Sequence, residues 1–473
     1  MIPVRGFEGK CVAVFGLARS GLTAARALIA GGAQVALWDE RPAAREAAAA
    51  EGFPIVDLST ADWSRFAALM LSPGVPLTHP EPHWTVVKAK AAGVEVLGDI
   101  ELFARTVNAA PAHKRPKVVV ITGTNGKSTT TALIGHVCKQ AGQDARVGGN
   151  IGIGVLDLDD MHGGAVYVLE VSSYQLDLTS SLKPDVAVLL NISPDHLDRH
   201  GGMEGYVAAK RRVLLNQGKG DTAVIGVDDP WCQQICTETK AANRRTIVPI
   251  SSGRAIGRGV YALQGVLYDG TAERVVEVAD LLRARSLPGP HNWQNAAAAY
   301  AACRALGIPP TDVADGLLSF PGLVHRMEKV GVIGGVTFIN DSKATNADAA
   351  RQAMSSYPRF YWIAGGVPKA GGIDSLSDLF PRIAKAYLIG QAADSFAKTL
   401  GPAPHEIAGD LATAVAHAFH DAKARGGEQV VLLSPACASF DQFPDFEARG
   451  DAFRQAVQDL TAPAATSSKG ASA

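Results

Sequence analysis

Val118-Val119-Val120-Ile121-Thr122-Gly123-Thr124-Asn125-Gly126-Lys127-Ser128-Thr129-Thr130 is the stretch that decides how this chain is read. Its β-branched apolar opening predicts a buried strand, and Thr131 to Cys138 predicts a helix. Between them lies a tight turn on two glycines, with Lys127 and Ser128 at the start of the helix. Such a turn aims backbone N–H groups and a helix N-terminus at one spot, which suits a polyphosphate. Lys127 supplies a point charge for the outer phosphates, and the Ser128 hydroxyl a ligand for Mg²⁺. The usual phosphate loop has a glycine five residues before its second glycine; here Ile121 stands there, so the loop is a shortened one. The alternative is a purely structural turn, which the residue context disfavours. Gly123, Thr124, Asn125, Gly126, Lys127, Ser128 and Thr129 are therefore expected to hold a nucleoside triphosphate.

Downstream, Gly148-Gly149-Asn150-Ile151-Gly152 reads as a glycine-rich turn where a backbone or an amide approaches a ligand closely. Ala165 to Glu170 is a strand ending in a carboxylate, the place for a further Mg²⁺ contact; the bland alternative is an exposed strand-end acid. Val186 to Asn191 is another buried strand, and it leads into Asp195, His196 and Asp198. An imidazole beside two acids at a strand end is a metal or phosphate candidate, although a lone histidine is usually structural. Lys210, in the helical run Tyr206 to Leu215, reads from the residues alone as a solvated helix lysine. Pro290 to Asn295 precedes an alanine-rich helix, so His291 and Asn292 bond a base or a metal-bound water, or merely cap that helix.

Upstream, Lys10 to Gly16 is a strand and Ser20 opens a helix. The turn Gly16-Leu17-Ala18-Arg19-Ser20-Gly21 is a weakened dinucleotide fingerprint, and Val35 to Asp39 is a second strand ending in an acid. By pattern alone this predicts NAD, yet such turns bind other nucleotides or nothing. Leu71-Ser72-Pro73-Gly74-Val75 is a turn at the end of a further strand. From Leu323 the composition restarts with His325-Arg326-Met327-Glu328. Strands at Val336–Asn340, from Tyr361 and from Val430 then run into the loops Asp341 to Asn346, Gly365 to Lys369 and Ser434 to Asp441. Loops at the carboxyl ends of parallel strands converge on one crevice.

The totals, 47% hydrophobic against 19% charged, are those of a globular chain with ample material for several cores. A chain of 473 residues holds about three domains at roughly 150 residues each, expected at 1–108, 109–322 and 323–460 with a disordered Ala- and Ser-rich tail at 461–473. Lys and Arg total 45 against 46 for Asp and Glu, which argues against a nucleic-acid groove or an anionic membrane surface. No apolar run reaches membrane-span length and no signal-peptide core is evident. The six cysteines are scattered, as expected of reduced cytoplasmic thiols.

Taken together, Thr122 to Thr130, Gly149-Asn150-Ile151-Gly152, Leu169-Glu170 with Ser172-Ser173-Tyr174-Gln175, Asn191 with Asp195-His196-Leu197-Asp198, His291-Asn292, His325-Arg326 and Asn340 to Asn346 resemble the Mur ligase family over the chain up to about Leu460. The phosphate loop is shared with folylpolyglutamate synthases. Asp341-Ser342-Lys343-Ala344-Thr345-Asn346 and Leu433-Ser434-Pro435-Ala436-Cys437-Ala438-Ser439-Phe440-Asp441-Gln442-Phe443 are similar to the D-glutamate-adding branch, and the Asp-Asn-Pro-Arg motif of diaminopimelate-adding relatives is not found.

The resemblance implies a Rossmann-like first domain, a central P-loop ATPase-like domain and a Rossmann-like third domain. It implies a cytoplasmic, monomeric ligase of peptidoglycan synthesis that uses ATP and two Mg²⁺ to join D-glutamate to UDP-N-acetylmuramoyl-L-alanine. By that likeness the UDP end lies near Arg19, Ser20, Asp39, Arg41, Ser72, Gly74 and Asn150, and Ala18 is no obstacle. Asn292, Arg326 and Asp341 join the ATP residues. The acceptor amino acid falls to Lys343, Thr345, Lys369, Ser439 and Phe446. The metal falls to Ser128, Glu170, His196 and Lys210, the last as a carbamate formed from CO₂, and Lys127, Glu170, His196 and Lys210 are the catalytic set. The rivals are a folylpolyglutamate synthase, an NAD-dependent oxidoreductase with a regulatory nucleotide site, and a nucleotide-switched binding protein.

Overall fold

The apolar runs close into three sheets. The computed structural model describes residues 1–284, 286–369 and 371–461; the expected disordered tail, beyond Thr461, lies outside the described residues. The chain separates into two units, Met1–Phe320 and Pro321–Ala473.

In the first unit, β1 (Cys11–Phe15), β2 (Gln34–Trp38), β3 (Phe66–Leu71) and β4 (Glu95–Leu97) form a parallel sheet in the order β2-β1-β3-β4. The helix Arg19–Ala30 buries Gly21, Thr23, Ala24, Ala25, Ala27 and Leu28 and exposes Arg19, Arg26, Ile29 and Ala30, the one-sided burial expected of an element laid on a sheet. The strand order reverses between β1 and β3, and it is at the carboxyl ends flanking such a switch point that open sheets bind ligands.

The second sheet of this unit comprises β5 (Lys117–Thr122), β6 (Asp144–Gly149), β7 (Ala165–Glu170), β8 (Val186–Leu189), β9 (Thr222–Gly226), β10 (Thr246–Ser251), β11 (Val260–Leu263), β12 (Val266–Asp269) and β13 (Val276–Asp280). Its order is β13-β12-β11-β10-β9-β8-β5-β7-β6; it is parallel from β6 to β11 and antiparallel from β11 to β13. All six residues of β7 are buried, as are all of β5 except Lys117. Such uninterrupted apolar strands belong inside a sheet covered on both faces. β5 lies between β7 and β8, at the switch point, and carries the phosphate loop at its carboxyl end.

In the second unit, β14 (Glu328–Ile333), β15 (Val336–Asn340), β16 (Phe360–Gly365), β17 (Ile383–Ile389), β18 (His405–Gly409) and β19 (Gln429–Leu433) are ordered β14-β15-β19-β16-β17-β18, with only β14 antiparallel. The last strand in sequence thus lies between β15 and β16, which brings the three expected loops side by side.

Three sequence readings change. Gly148 and Gly149 end strand β6 and are not themselves a turn. Pro290 is the first residue of the helix Pro290–Ala305, so His291 and Asn292 sit inside its first turn and do not precede it. Lys210, in the helix Met203–Arg211, is only 1% exposed and is not a solvated lysine.

Candidate active site

The phosphate loop is braced from two sides. Gly126 has φ +83°, and a Cβ there would stand 2.2 Å from Asn295 Oδ1, so only glycine fits without displacing that amide. The backbone N–H groups of Thr124 and Asn125 donate to the backbone oxygen and Oδ1 of Asn191 at 2.8 and 2.9 Å. Asn191 Nδ2 in turn donates to Asn125 O and Gln294 Oε1. Asn292, 4% exposed, accepts from Asn295 Nδ2 and donates to Pro288 O. It thus steadies the residue against Gly126. The helix Lys127–Gln140 begins with no side-chain cap on its N-terminus, so its leading N–H groups and positive dipole end address whatever anion enters. Lys127 Nζ donates to Gly123 O and Thr124 O at 2.9 and 2.7 Å, folded back over its own loop.

Lys210 Nζ meets the same loop from below. It donates to Gly123 O at 2.6 Å and lies 4.6 Å from the centre of the Tyr206 ring. Burial, with Lys127 close by, holds its pKa well below the usual lysine value. Glu170 is 2% exposed; Oε1 accepts from Asn150 Nδ2 at 2.8 Å, and Oε2 is buried with no hydrogen-bond partner among the described residues. A buried carboxylate oxygen left without a donor is costly unless something cationic takes it. His196 adopts φ +53°, stands 3.4 Å from Asp195 Oδ2 and packs on the Tyr174 ring. That ring also carries the Arg199 guanidinium and stacks on His200, which is fixed by Ser173 Oγ and Asp177 at 3.0 Å each.

One cavity of about 720 Å³ joins this centre to the first sheet. Lys127, His196 and Lys210 line it at one end, and Arg19, Ser20, Asp39, Arg41, Ser72, Gly74 and Asn150 line it toward the other. The residues expected around UDP and those expected around the phosphates therefore share a wall. The turn after β1 is tightly made: a Cβ on Gly16 would strike Ser72, and one on Gly21 would stand 1.9 Å from Gly16 O. Ser72 Oγ closes it by donating to Gly16 O at 2.7 Å. Asp39 is saturated, taking Leu17 N and Arg41 Nη2 on Oδ2 and Arg41 N and Nε on Oδ1. It shapes the turn and aims Arg41, and it has no oxygen lone pair left over for a sugar hydroxyl. Arg19 Nη1 donates to Gly152 O at 2.8 Å, tying this turn to the loop that holds Asn150. Tyr174 and Tyr206 were missed as wall residues, because an aromatic within a helical run reads as core.

In the second unit, the loops after β15, β16 and β19 interlock. Asp341 N donates to Leu433 O, Ser434 Oγ to Asp341 Oδ2 at 2.9 Å, and Gly365 N to Pro435 O; Val367 and Ala438 exchange both backbone hydrogen bonds. Asp341 is 5% exposed and also accepts from Met327 N. Burial pushes its carboxyl up to about 7, against the opposing pull of Arg326. Lys343 Nζ lies 3.7 Å from the centre of the Phe446 ring, and Ser439 is buried. Thr345 N donates to Lys343 O, which folds the loop back before Asn346 caps the helix Ala347–Ser355. Lys369 O accepts from Gly372 N.

Among the described residues no group of three or more His, Cys, Asp or Glu side chains is arranged to hold a metal ion. A Mg²⁺ held mainly by phosphate oxygens and water needs only one or two protein oxygens, and the orphaned Glu170 Oε2 fits that demand.

The Mur ligase middle domain matches residues 121–303, and the Mur ligase, glutamate ligase domain matches residues 325–437. The chain is 79% identical over 466 residues to the UDP-N-acetylmuramoylalanine–D-glutamate ligase of Caulobacter sp. (strain K31), covering 98% of this chain and 99% of that protein. It is 74% identical to the protein of the same name from Phenylobacterium zucineum (strain HLK1), covering 97% and 98%. Among solved structures, the UDP-N-acetylmuramate-alanine ligase of Thermotoga maritima has a TM-score of 0.58 at 17% identity, covering 95% of this chain and 99% of that one. A MurF ligase from the same organism in complex with ADP has a TM-score of 0.57 at 17% identity, covering 97% and 98%.

Proposed function

The chain belongs to the Mur ligase family, and from that premise we propose that it joins D-glutamate to UDP-N-acetylmuramoyl-L-alanine at the expense of ATP, as a monomeric cytoplasmic enzyme of peptidoglycan precursor synthesis. The observation that carries the reading is the single cavity that runs from the turn after β1 to Lys127, His196 and Lys210. A nucleotide-linked substrate lying along it brings its far end to the phosphate loop.

The substrate carboxylate attacks the γ-phosphorus in line, giving an acyl phosphate and ADP; the amine of D-glutamate then attacks the acyl carbon and phosphate leaves. Loop N–H groups and the helix N-terminus hold the triphosphate, and Lys127 swings from its own loop carbonyls onto the outer phosphates. Ser128, Glu170, His196 and Lys210 would hold two Mg²⁺, which supply charge neutralisation when bound. Lys210 fits as a carbamate because it is buried against the phosphate loop and its pKa is lowered, which favours the neutral amine that adds to CO₂. Arg19, Ser20, Arg41, Ser72, Gly74 and Asn150 take the UDP end, with Asp39 holding Arg41 in place. Asn292, Arg326 and Asp341 complete the ATP residues, and Lys343, Thr345, Lys369, Ser439 and Phe446 orient the acceptor. The saturated Asp39 carboxylate gives an NAD-dependent reading no support.

Phosphate release coupled to a dye reaction tests this directly. ADP and phosphate should appear only when ATP, the UDP-sugar with its alanine, and D-glutamate are all present. Equal release with L-glutamate, or with a folate in place of the UDP-sugar, defeats the assignment.

A further inference from the structure

Arg449, in the helix Phe446–Asp459, is 1% exposed, which makes it one of the largest fully buried side chains of the chain. Its guanidinium donates from Nε to Ser342 Oγ at 3.0 Å, and from Nη2 to Ser342 O at 2.8 Å and Cys437 O at 3.1 Å. Ser342 Oγ passes its own proton on to Phe446 O at 2.8 Å, closing a ring between loop and helix. The remaining nitrogen, Nη1, is buried with no hydrogen-bond partner among the described residues, and a Cβ on Gly366 would lie 3.2 Å from it. One side chain thus reaches the loops after β15, β19 and β16.

Its charge is as unusual as its position. No carboxylate is paired with Arg449 among the described residues; its partners are a hydroxyl and backbone carbonyls. Asp441 is near enough to be felt, but its Oδ2 already accepts from Gln391 N. A buried cation with no counter-ion and an unused N–H pair is costly alone and favours an anion nearby. Its chain neighbours are the residues proposed for the acceptor: Lys343 follows Ser342, Ser439 is two past Cys437, Lys369 three past Gly366, and Phe446 one helical turn before Arg449.

We infer that Arg449 is the positioning and specificity-determining residue of the acceptor pocket, holding its three loops in register and supplying the unpaired positive charge that selects a dicarboxylate amino acid. The inference rests on the proposed ligase activity and deepens it. Arg449 works from beneath the pocket floor: its fork sets the backbone of residues 342 and 437 and its field reaches the acceptor through them. Lysine in its place keeps the charge but not the fork.

The test compares wild type with Arg449→Gln and Arg449→Lys in the full ligase assay. Wild type must first turn over with D-glutamate; if it does not, the proposed function fails and not this inference. Given that, Arg449→Gln should raise the KM for D-glutamate at least tenfold while the KM values for ATP and the UDP-sugar change less than twofold. Arg449→Lys should recover part of that loss, and discrimination between D-glutamate and D-glutamine should shrink in the Gln variant. An unchanged D-glutamate KM in folded Arg449→Gln overturns the inference, as does an equal rise in all three KM values. If Arg449→Gln does not fold, Ser342→Ala, which removes the Nε contact and the bond to Phe446, decides by the same selective rise in KM.

Discussion

Lys210 Nζ donates to the backbone oxygen of Gly123 at 2.6 Å, across 87 residues of sequence. A buried amine thereby supports the first glycine of the phosphate loop. Two lysines share one carbonyl: Lys127 also donates to Gly123 O. Burial, with the Lys127 ammonium beside it, pushes the Lys210 pKa well below the usual lysine value.

A buried amine of lowered pKa favours the form that adds to CO₂, and this predicts a carbamate at Lys210. Wild type equilibrated with ¹³C-bicarbonate should show a carbamate carbon signal that Lys210→Ala lacks. Lys210→Ala should keep its helix, since alanine is the best helix former, and lose about a hundredfold or more in turnover. Millimolar acetate or formate, but not chloride, should restore part of it. Near-normal activity in Lys210→Ala, or no labelled carbon in wild type, disproves the carbamate.

Glu170→Gln keeps shape and the bond from Asn150 while removing charge from the orphaned oxygen. The Mg²⁺ concentration for half-maximal turnover should rise at least tenfold. Thermal stability of the free protein should hold or increase, because a buried, unpartnered carboxylate oxygen is gone. An unmoved Mg²⁺ titration removes Glu170 from the metal set.

Asp341 predicts a pH dependence with a definite sign. Its carboxyl loses its proton near 3.8 when unfolded and near about 7 when folded. Between those values the unfolded chain has released the proton and the folded one retains it, so stability falls as pH rises through the window. The loss is complete above it and absent below it. At about 1.4 kcal/mol per pH unit the total is on the order of 4 kcal/mol. Asp341→Asn should therefore gain on wild type in thermal melts at pH 8 relative to pH 5. A difference between the two proteins that is the same at both pH values shows that Asp341 does not titrate in this range.

The sequence made the framework of the site readable because its strands end in chemistry. β5, β7 and β15 are runs of apolar residues that stop at Gly123, Glu170 and Asp341, and their ends could be placed without the fold. Lys210 was not readable that way: three alanine and valine neighbours in a helical run say nothing about Tyr206 and Gly123 closing over its amine. Asp39 was found as a strand-end acid, but its four hydrogen bonds depend on how Leu17 and Arg41 fold back onto it. Arg449 was passed over entirely, since an arginine within a polar helix looks solvated until the loops above it are in place. The strands from Thr222 to Asp280 also went unremarked. β11, β12 and β13 are only four or five residues long, too short for a periodic pattern to stand out, and they form the antiparallel edge of the sheet.

Because β19 is threaded between β15 and β16, the third sheet has a time order built into it. During synthesis the chain emerges from its first residue onward, and the phosphate loop and its cavity are complete long before Gln429 appears. Of the six strands of this sheet β19 is the last in sequence, and until it inserts, the loops after β15 and β16 lack the strand that lies between them. A chain interrupted before Gln429 thus carries a completed β5 and phosphate loop, and a third sheet that lacks the strand between β15 and β16. Reaching Leu433 is what lets those two strands and the loops after them join through β19.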